Sequence, residues 1–145
     1  MNKFFSTDFE AKQVDVVLLI VRIGVALLML THGIPKLQML FGGGEIQFPR
    51  VMGMSPSLAL GLTVFAEVIC SILLLIGLGT RLASIPLIFT MIVAVFVIHA
   101  SDPLAGKEMG LLYLLLYIPL LFLGGGKFSL DRVLGTVSQP EMVRK

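Results

Sequence analysis

Four long runs of apolar residues constrain the fold of this 145-residue chain more than any other feature. The runs cover about residues 16–33, 57–79, 82–99 and 109–126. Because a helix that crosses the hydrocarbon core of a bilayer needs about 20 mostly apolar residues, each run has the length of a membrane span. Only 14% of the residues are charged, against about 25% in soluble domains. We therefore predict one all-α domain, residues 1–145: a polytopic bundle of four transmembrane helices with a long first outer loop.

The connections between the runs predict how the helices are arranged. "GLGTRLAS" and "SDPLAGKE" are short, so the second and third helices, and the third and fourth, should be antiparallel neighbours. The first connection, residues 34–56, is longer and has room for a short interfacial or re-entrant piece. At its start, Pro35 has no amide hydrogen and disfavours helical backbone at Ile34. We therefore predict that the first helix kinks or ends near Gly33.

The distribution of basic residues predicts the orientation. Four spans put both termini on one side, whose basic residues are Lys3, Lys12, Arg81, Lys127, Arg132, Arg144 and Lys145. The opposite side has Lys36, Arg50 and Lys107. Because cytoplasmic loops carry an excess of Lys and Arg, both termini, including a short polar tail at residues 135–145, should be cytoplasmic. The polar opening of the chain does not resemble a cleaved signal peptide, and a net charge of +2 without a basic cluster predicts no nucleic-acid partner.

Two ionisable residues, Arg22 and Glu67, lie inside the predicted spans. A charge at the centre of a transmembrane helix costs about 2.5–3.5 kcal/mol on insertion scales. Counting from the predicted span ends at 1.5 Å per residue places the two backbones within about 5 Å of the same depth. We therefore predict a buried ion pair between Arg22 on the first helix and Glu67 on the second.

A second polar group lies near the outer ends of the first and third spans. It consists of His32, Lys36, His99 and Asp102, with Glu108 close behind. Three interpretations stay open: capped helix ends at a wet interface, proton or quinone chemistry, and ligation of a haem or metal. No HExxH, CxxC or zinc-ligand set occurs, so we predict no metal site. His32, Lys36, His99 and Asp102 are the candidate quinone- or ligand-binding residues, in a cavity that opens toward the outer leaflet.

The stretch "LGGGKFSLD" suggests a phosphate-binding loop because a lysine follows three glycines. The pattern fails, since Leu121 stands where that loop needs its first glycine and Phe128 stands where it needs a hydroxyl. We predict instead that the fourth helix ends at the glycines and that Ser129 caps a short helix beginning at "LDRVL".

Taken together, these motifs resemble the DoxX family of small bacterial membrane proteins. The resemblance covers about residues 14–134 and is carried by Arg22 with Gly24, "HGIPK", Glu67 in "VFAEVICSILLLIGLGTR" and "GGGKFSLDRVL". It implies a four-helix fold in the bacterial inner membrane. The family takes its name from a subunit associated with a terminal quinol oxidase and with thiosulfate:quinone oxidoreduction in archaea. The residues at its polar motif positions are Arg22, His32, Gly33, Lys36 and Glu67.

Three functions follow from these observations and stay open, and so does whether the chain is an enzyme by itself. The first is a quinone-interacting subunit of a membrane oxidoreductase complex, in which a partner subunit supplies the redox centre. The second is a non-catalytic accessory or assembly subunit of a larger envelope complex. The third is a small transporter or proton path through Arg22 and Glu67. A quinone is the cofactor implied by the first, and the lipid bilayer and other membrane subunits are the expected partners.

Overall fold

Four long apolar helices and one short helix form the structure, a computed structural model that describes residues 10–137. Along the chain they are α1 (Ala11–Phe41), α2 (Pro56–Ile76), α3 (Thr80–Ile98), α4 (Leu104–Leu123) and α5 (Leu130–Val137). Helices α1 to α4 are each long and apolar enough to cross a membrane. The prediction of an all-α protein with four membrane spans is confirmed. The part of the predicted tail at residues 138–145 lies outside the described residues.

The four long helices are antiparallel to their neighbours in sequence. Gly33 of α1 lies beside Glu67 of α2, and Gly77, just after α2, lies beside Arg22 of α1. Gly124, just after α4, likewise lies beside Arg81 at the start of α3. We call the end of the bundle where α1 begins and α4 ends the terminal end. The opposite end, which carries the connection of residues 42–55, is the loop end.

Helix α1 continues through Pro35 and ends at Phe41, so of the two predicted outcomes, a kink or an end near Gly33, the end is wrong. A proline inside a helix removes one backbone hydrogen bond, but transmembrane helices tolerate this loss when neighbouring groups satisfy the freed carbonyl. Packing supports the continuation here. A Cβ atom on Gly33 would lie only 3.0 Å from the carbonyl carbon and oxygen of Glu67, so α1 and α2 are in close backbone contact at this level. Small residues allow such approaches between membrane helices.

Local sequence signals explain where α2 begins and ends. Ser55 accepts a hydrogen bond on Oγ from the amide of Leu58 (3.4 Å), and Pro56 occupies the first helical position. At the other end Gly77 adopts a φ of +73°, and the amide of Leu78 donates to the carbonyl of Leu73 at 2.9 Å. This is the glycine-terminated helix end that reverses the chain, which brings α3 back along α2.

Both α2 and α3 contain a π-helical segment, at the middle of α2 and at the loop end of α3. The segment of α2 is Phe65–Cys70, which contains Glu67, and that of α3 is Ala94–Ile98. In α3 the amide of His99 donates to the carbonyl of Ala94, five residues earlier, at 2.9 Å. Such wide turns insert an extra residue into an α-helix, change the direction of nearby side chains, and occur frequently at functional sites.

Two clusters of buried side chains hold the bundle together. The larger one joins α1, the second half of α2, α3 and α4, and includes Val25, Leu74, Leu87 and Leu120. The smaller one consists of Leu60, Val64 and Val68 of α2 with partly buried neighbours from α1 and from the loop, namely Leu30, Leu37, Leu40, Ile46 and Phe48. The smaller cluster thus fixes the 42–55 loop against the loop end of α1 and α2.

Candidate functional site

A buried ion pair between Lys36 and Glu67 lies at the centre of the candidate site. Lys36 Nζ donates to both carboxylate oxygens of Glu67 at 2.6 Å. The Glu67 side chain is 3% exposed and that of Lys36 is 30% exposed. The pair forms because α1 continues past Pro35, so that Lys36 follows Gly33 by one helical turn and faces the same neighbour, α2.

On one side of this pair is a cavity of about 390 Å³ between α2, α3 and the 42–55 loop, which we call the α2–α3 cavity. Its walls are mainly apolar and include Phe48, Val51, Met52 and Met54 from the loop, Leu62 and Phe65 from α2, and Phe89 and Val93 from α3. Met52 has a φ of +50°, a conformation that residues other than glycine seldom adopt. Strained backbone of this kind tends to cluster at ligand-binding sites.

On the other side of the ion pair is a cavity of about 240 Å³ between α1, α3 and α4, the α1–α4 cavity. More of its lining side chains are polar: His32 from α1, and Lys107 and Tyr113 from α4. The imidazole of His32 meets the ring of Tyr113 edge to face, with centroids 6.0 Å apart. Four residues line both cavities, Lys36, Glu67, Ala94 and His99, so the two spaces share a wall.

The imidazole of His99 contacts a carboxylate. Its Nδ1 lies 2.6 Å from Oδ2 of Asp102 in the turn before α4. Because an ionised carboxylate only accepts hydrogen bonds, this contact holds a proton on Nδ1 and leaves Nε2 as the nitrogen available to a ligand.

The structure brings the four candidate ligand-binding residues to one place at the loop end. His32, Lys36 and His99 line the α1–α4 cavity, and Asp102 contacts His99. Glu67, assigned from the sequence to a different interaction, belongs to the same group through Lys36. Within the described range, residues 10–137, no three His, Cys, Asp or Glu side chains are grouped so that they could hold a metal ion.

The predicted ion pair between Arg22 and Glu67 is wrong. The prediction counted depth from the span ends, Asp15 for Arg22 and Ser57 for Glu67, whereas in the structure it is Gly33 of α1 that lies beside Glu67. Arg22 is therefore eleven residues away along α1, about 16 Å at 1.5 Å per residue. Instead, the buried guanidinium of Arg22 donates to the carbonyls of Gly125 (3.0 Å) and Phe128 (2.6 Å) at the terminal end.

Asp131 completes the terminal end by capping α3. Its carboxylate accepts hydrogen bonds from the amides of Gly79 (2.6 Å) and Thr80 (2.9 Å). Burial raises the pKa of Asp131, but hydrogen bonds from Thr80 and Gly79 and the charge of Arg22 outweigh that effect and hold the pKa below its ordinary value. Ser129 Oγ accepts from the amide of Arg132 at 3.4 Å, so the predicted cap of α5 is confirmed. The "GGGKFSLD" motif is thus structural.

Comparison with known proteins places the chain in a family. The family model described as DoxX matches residues 17–100. The chain belongs to the DoxX family. A relative from Haemophilus influenzae, described as an uncharacterized protein, is 34% identical over 122 residues, which cover 76% of this chain and 84% of that protein. No solved structure matches the chain.

Two features of this DoxX protein's site were missed from the sequence. The first is the Lys36–Glu67 pair, for which a signal exists. "KLQMLF" after Pro35 keeps apolar residues at Leu37, Leu40 and Phe41, a spacing typical of a continuing helix. The second is the pair of π-helical segments, and we find no residue pattern in "FAEVIC" or "AVFVI" that would have indicated them.

Proposed function

We propose that this DoxX family protein is a quinone-interacting subunit of a membrane oxidoreductase complex, and that the α2–α3 cavity receives the quinone head-group. The observation that carries the proposal is the Lys36–Glu67 ion pair on the wall of a mainly apolar cavity. Ionisable side chains at membrane depth are costly and usually mark substrate, ion or proton pathways.

The size and chemistry of the cavity fit a quinone ring. A volume of about 390 Å³ lies within the range of about 300–1,000 Å³ typical of small-molecule sites. Leu62, Phe65 and Phe89 line it and are each at least half exposed on the outer surface of α2 and α3. An apolar tail attached to the ring therefore has a lipid-facing apolar exit between these two helices.

The polar groups of the cavity wall suit the two ends of a quinone. Two of the three Lys36 ammonium hydrogens point to Glu67, which leaves one for a ring carbonyl. His99 Nε2 accepts a proton from a ring hydroxyl or, once protonated, donates one to a ring oxygen, while Asp102 holds the imidazole in place. A bound quinone supplies two-electron, two-proton exchange, and in this proposal the electrons pass to or from a redox centre on a partner subunit.

The proposed location is the bacterial inner membrane, with the terminal end in the cytoplasm. Of the basic residues in the described chain, Lys12, Arg81, Lys127 and Arg132 lie at the terminal end, and Lys36, Arg50 and Lys107 lie toward the loop end. The sequence adds Lys3, Arg144 and Lys145 near the two termini. This asymmetry supports cytoplasmic termini. A membrane-impermeant thiol reagent should then label a cysteine introduced at Gln47 from outside intact cells, and protection of Gln47 would contradict the orientation.

Purification in mild detergent tests the proposed function. The protein should retain quinone, detected in the ultraviolet spectrum of an organic extract, together with a redox-active partner subunit. Lys36→Met should lose most of the quinone, whereas Lys12→Met, which removes an exposed lysine at the terminal end of the same helix, should retain it. A stoichiometric complex without quinone or redox centre would contradict the proposal and favour the accessory role.

A further inference from the structure

We propose that the α1–α4 cavity is a hydrated route along which protons pass between the Lys36–Glu67 ion pair and water at the loop end. The use of this route during quinone chemistry rests on the proposed function, whereas its hydration does not. In this proposal the two cavities have different roles. The α2–α3 cavity receives an apolar ligand from the bilayer, and the α1–α4 cavity exchanges protons.

The α2–α3 and α1–α4 cavities share a wall of four residues. Lys36, Glu67, Ala94 and His99 line both cavities, so a group bound in the α2–α3 cavity reaches the other space only past these side chains. Three of the four ionise or carry a charge. The wall therefore contains groups that can exchange protons with either cavity.

The two cavities differ in the residues that line them. The α1–α4 cavity adds His32, Lys107 and Tyr113 to the shared residues, and it extends to Gly106 in the first turn of α4, at the loop end. A space of about 240 Å³ has room for several waters, each of which occupies about 30 Å³ in the liquid, and waters are stable where polar partners surround them.

Titratable groups from three elements line the α1–α4 cavity together with Glu67. They are Lys36 and His32 on α1, His99 at the end of α3 with Asp102 behind it, and Tyr113 and Lys107 on α4. A proton released by a ligand hydroxyl passes to Glu67 or to His99 Nε2, then to cavity water, and leaves at the loop end. Only O–H and N–H bonds change in these steps, so no further reactant is needed.

Two adjacent residues of α3 provide a matched test, because Thr90 lines only the α2–α3 cavity and Met91 only the α1–α4 cavity. Single cysteines at each position, in a Cys70→Ala background in nanodiscs, are exposed to a cationic methanethiosulfonate reagent. Met91→Cys should react at least about tenfold faster than Thr90→Cys, because the reagent requires a hydrated path to the thiol. An apolar pyrene maleimide should show the opposite preference.

Ala83→Cys gives the rate for a buried thiol, since Ala83 is 3% exposed, lies on the same helix and lines neither cavity. If Met91→Cys is as slow as Ala83→Cys, or if Thr90→Cys reacts equally fast, the route does not exist. Should the background variant fold poorly, the same comparison holds with Cys70 present, because that residue is 1% exposed and adds only a slow reaction.

A second measurement separates this inference from the proposed function. Infrared spectroscopy after a pH jump follows the Glu67 carboxylate, assigned by its loss in Glu67→Gln. Met91→Phe, which replaces a flexible side chain by a rigid ring and narrows the α1–α4 cavity, should slow the response at least about tenfold by displacing water from the route, while Thr90→Phe should leave it unchanged. If Thr90→Phe also leaves quinone binding unchanged, the proposed function fails although the proton route stands. If Met91→Phe leaves the carboxylate response unchanged, the route fails although quinone binding can stand.

Discussion

Replacing Lys36 by methionine should destabilise the protein strongly, because it isolates a buried carboxylate. Glu67 is 3% exposed and the described residues place no other cation at hydrogen-bonding distance from it. Breaking a buried pair by removing one partner costs about 3–5 kcal/mol, mostly through the uncompensated charge that remains. The Glu67 side chain has little access to water, so we expect Lys36→Met to lie within that range.

Removing the other partner should cost less, because Lys36 is 30% exposed and can turn its ammonium toward water. We expect about 1–2 kcal/mol for Glu67→Gln, between the values for surface and buried pairs. The double variant should lose less than the sum of the single variants, with a coupling of at least about 1.5 kcal/mol, since neither charge then remains buried alone.

Unfolding of the four proteins in detergent, followed by circular dichroism, measures these differences. Lys12→Met is the control, because Lys12 is exposed at the start of the same helix and such surface changes stay within about 0.5 kcal/mol. Equal losses in the two single variants, or strictly additive losses in the double variant, would refute the reasoning that a buried Glu67 depends on Lys36.

Three further predictions concern packing and capping. Arg22→Met should lower stability by at least about 2 kcal/mol in thermal unfolding, because it leaves the carbonyls of Gly125 and Phe128, one of them buried, without their donor; near-wild-type stability would contradict that role. Gly33→Ala should destabilise by about 1–3 kcal/mol through its contact with the α2 backbone, whereas Gly24→Ala, whose Cβ would meet nothing within 4 Å, should not. Because folding lowers the pKa of Asp131 below 3.8, the stability that wild type has over Asp131→Asn should persist above about pH 5 and shrink as pH falls below 3.8. A margin that grows on acidification would reverse the sign of this linkage.

The number and order of the spans were predictable because a membrane span is recognised by the length and apolar composition of one continuous segment. Each of the four apolar runs became a helix, and their order follows from short connections such as "GLGTRLAS". The caps were predictable for a similar reason, since Ser129 and the glycines at 124–126 act on their immediate neighbours. Helix caps can be predicted from the sequence because they depend only on neighbouring residues.

The partners of the buried charges were not predictable, because they depend on the axial position of one helix relative to its neighbour. Interpreting Pro35 as a helix end placed Lys36 outside the first helix, and depths counted from Asp15 and Ser57 then paired Glu67 with Arg22 instead of Lys36. A proline inside a helix removes one backbone hydrogen bond. The close contact between the backbones of α1 and α2 around Gly33 stabilises the continued helix despite this loss. The convergence of His32 and His99 was nevertheless suggested by their positions at the same ends of parallel spans.

Photoaffinity labelling tests the central claim most directly, that a quinone binds beside the Lys36–Glu67 pair. A short-tailed azidoquinone is photolysed with the protein in nanodiscs, and the modified residues are mapped by mass spectrometry. The account predicts adducts on residues that line the α2–α3 cavity, such as Met54, Phe89 and Val93, with protection by excess unlabelled quinone and loss in Lys36→Met. Adducts spread over the lipid-facing surfaces of α1 and α4, unaffected by competing quinone, would contradict it.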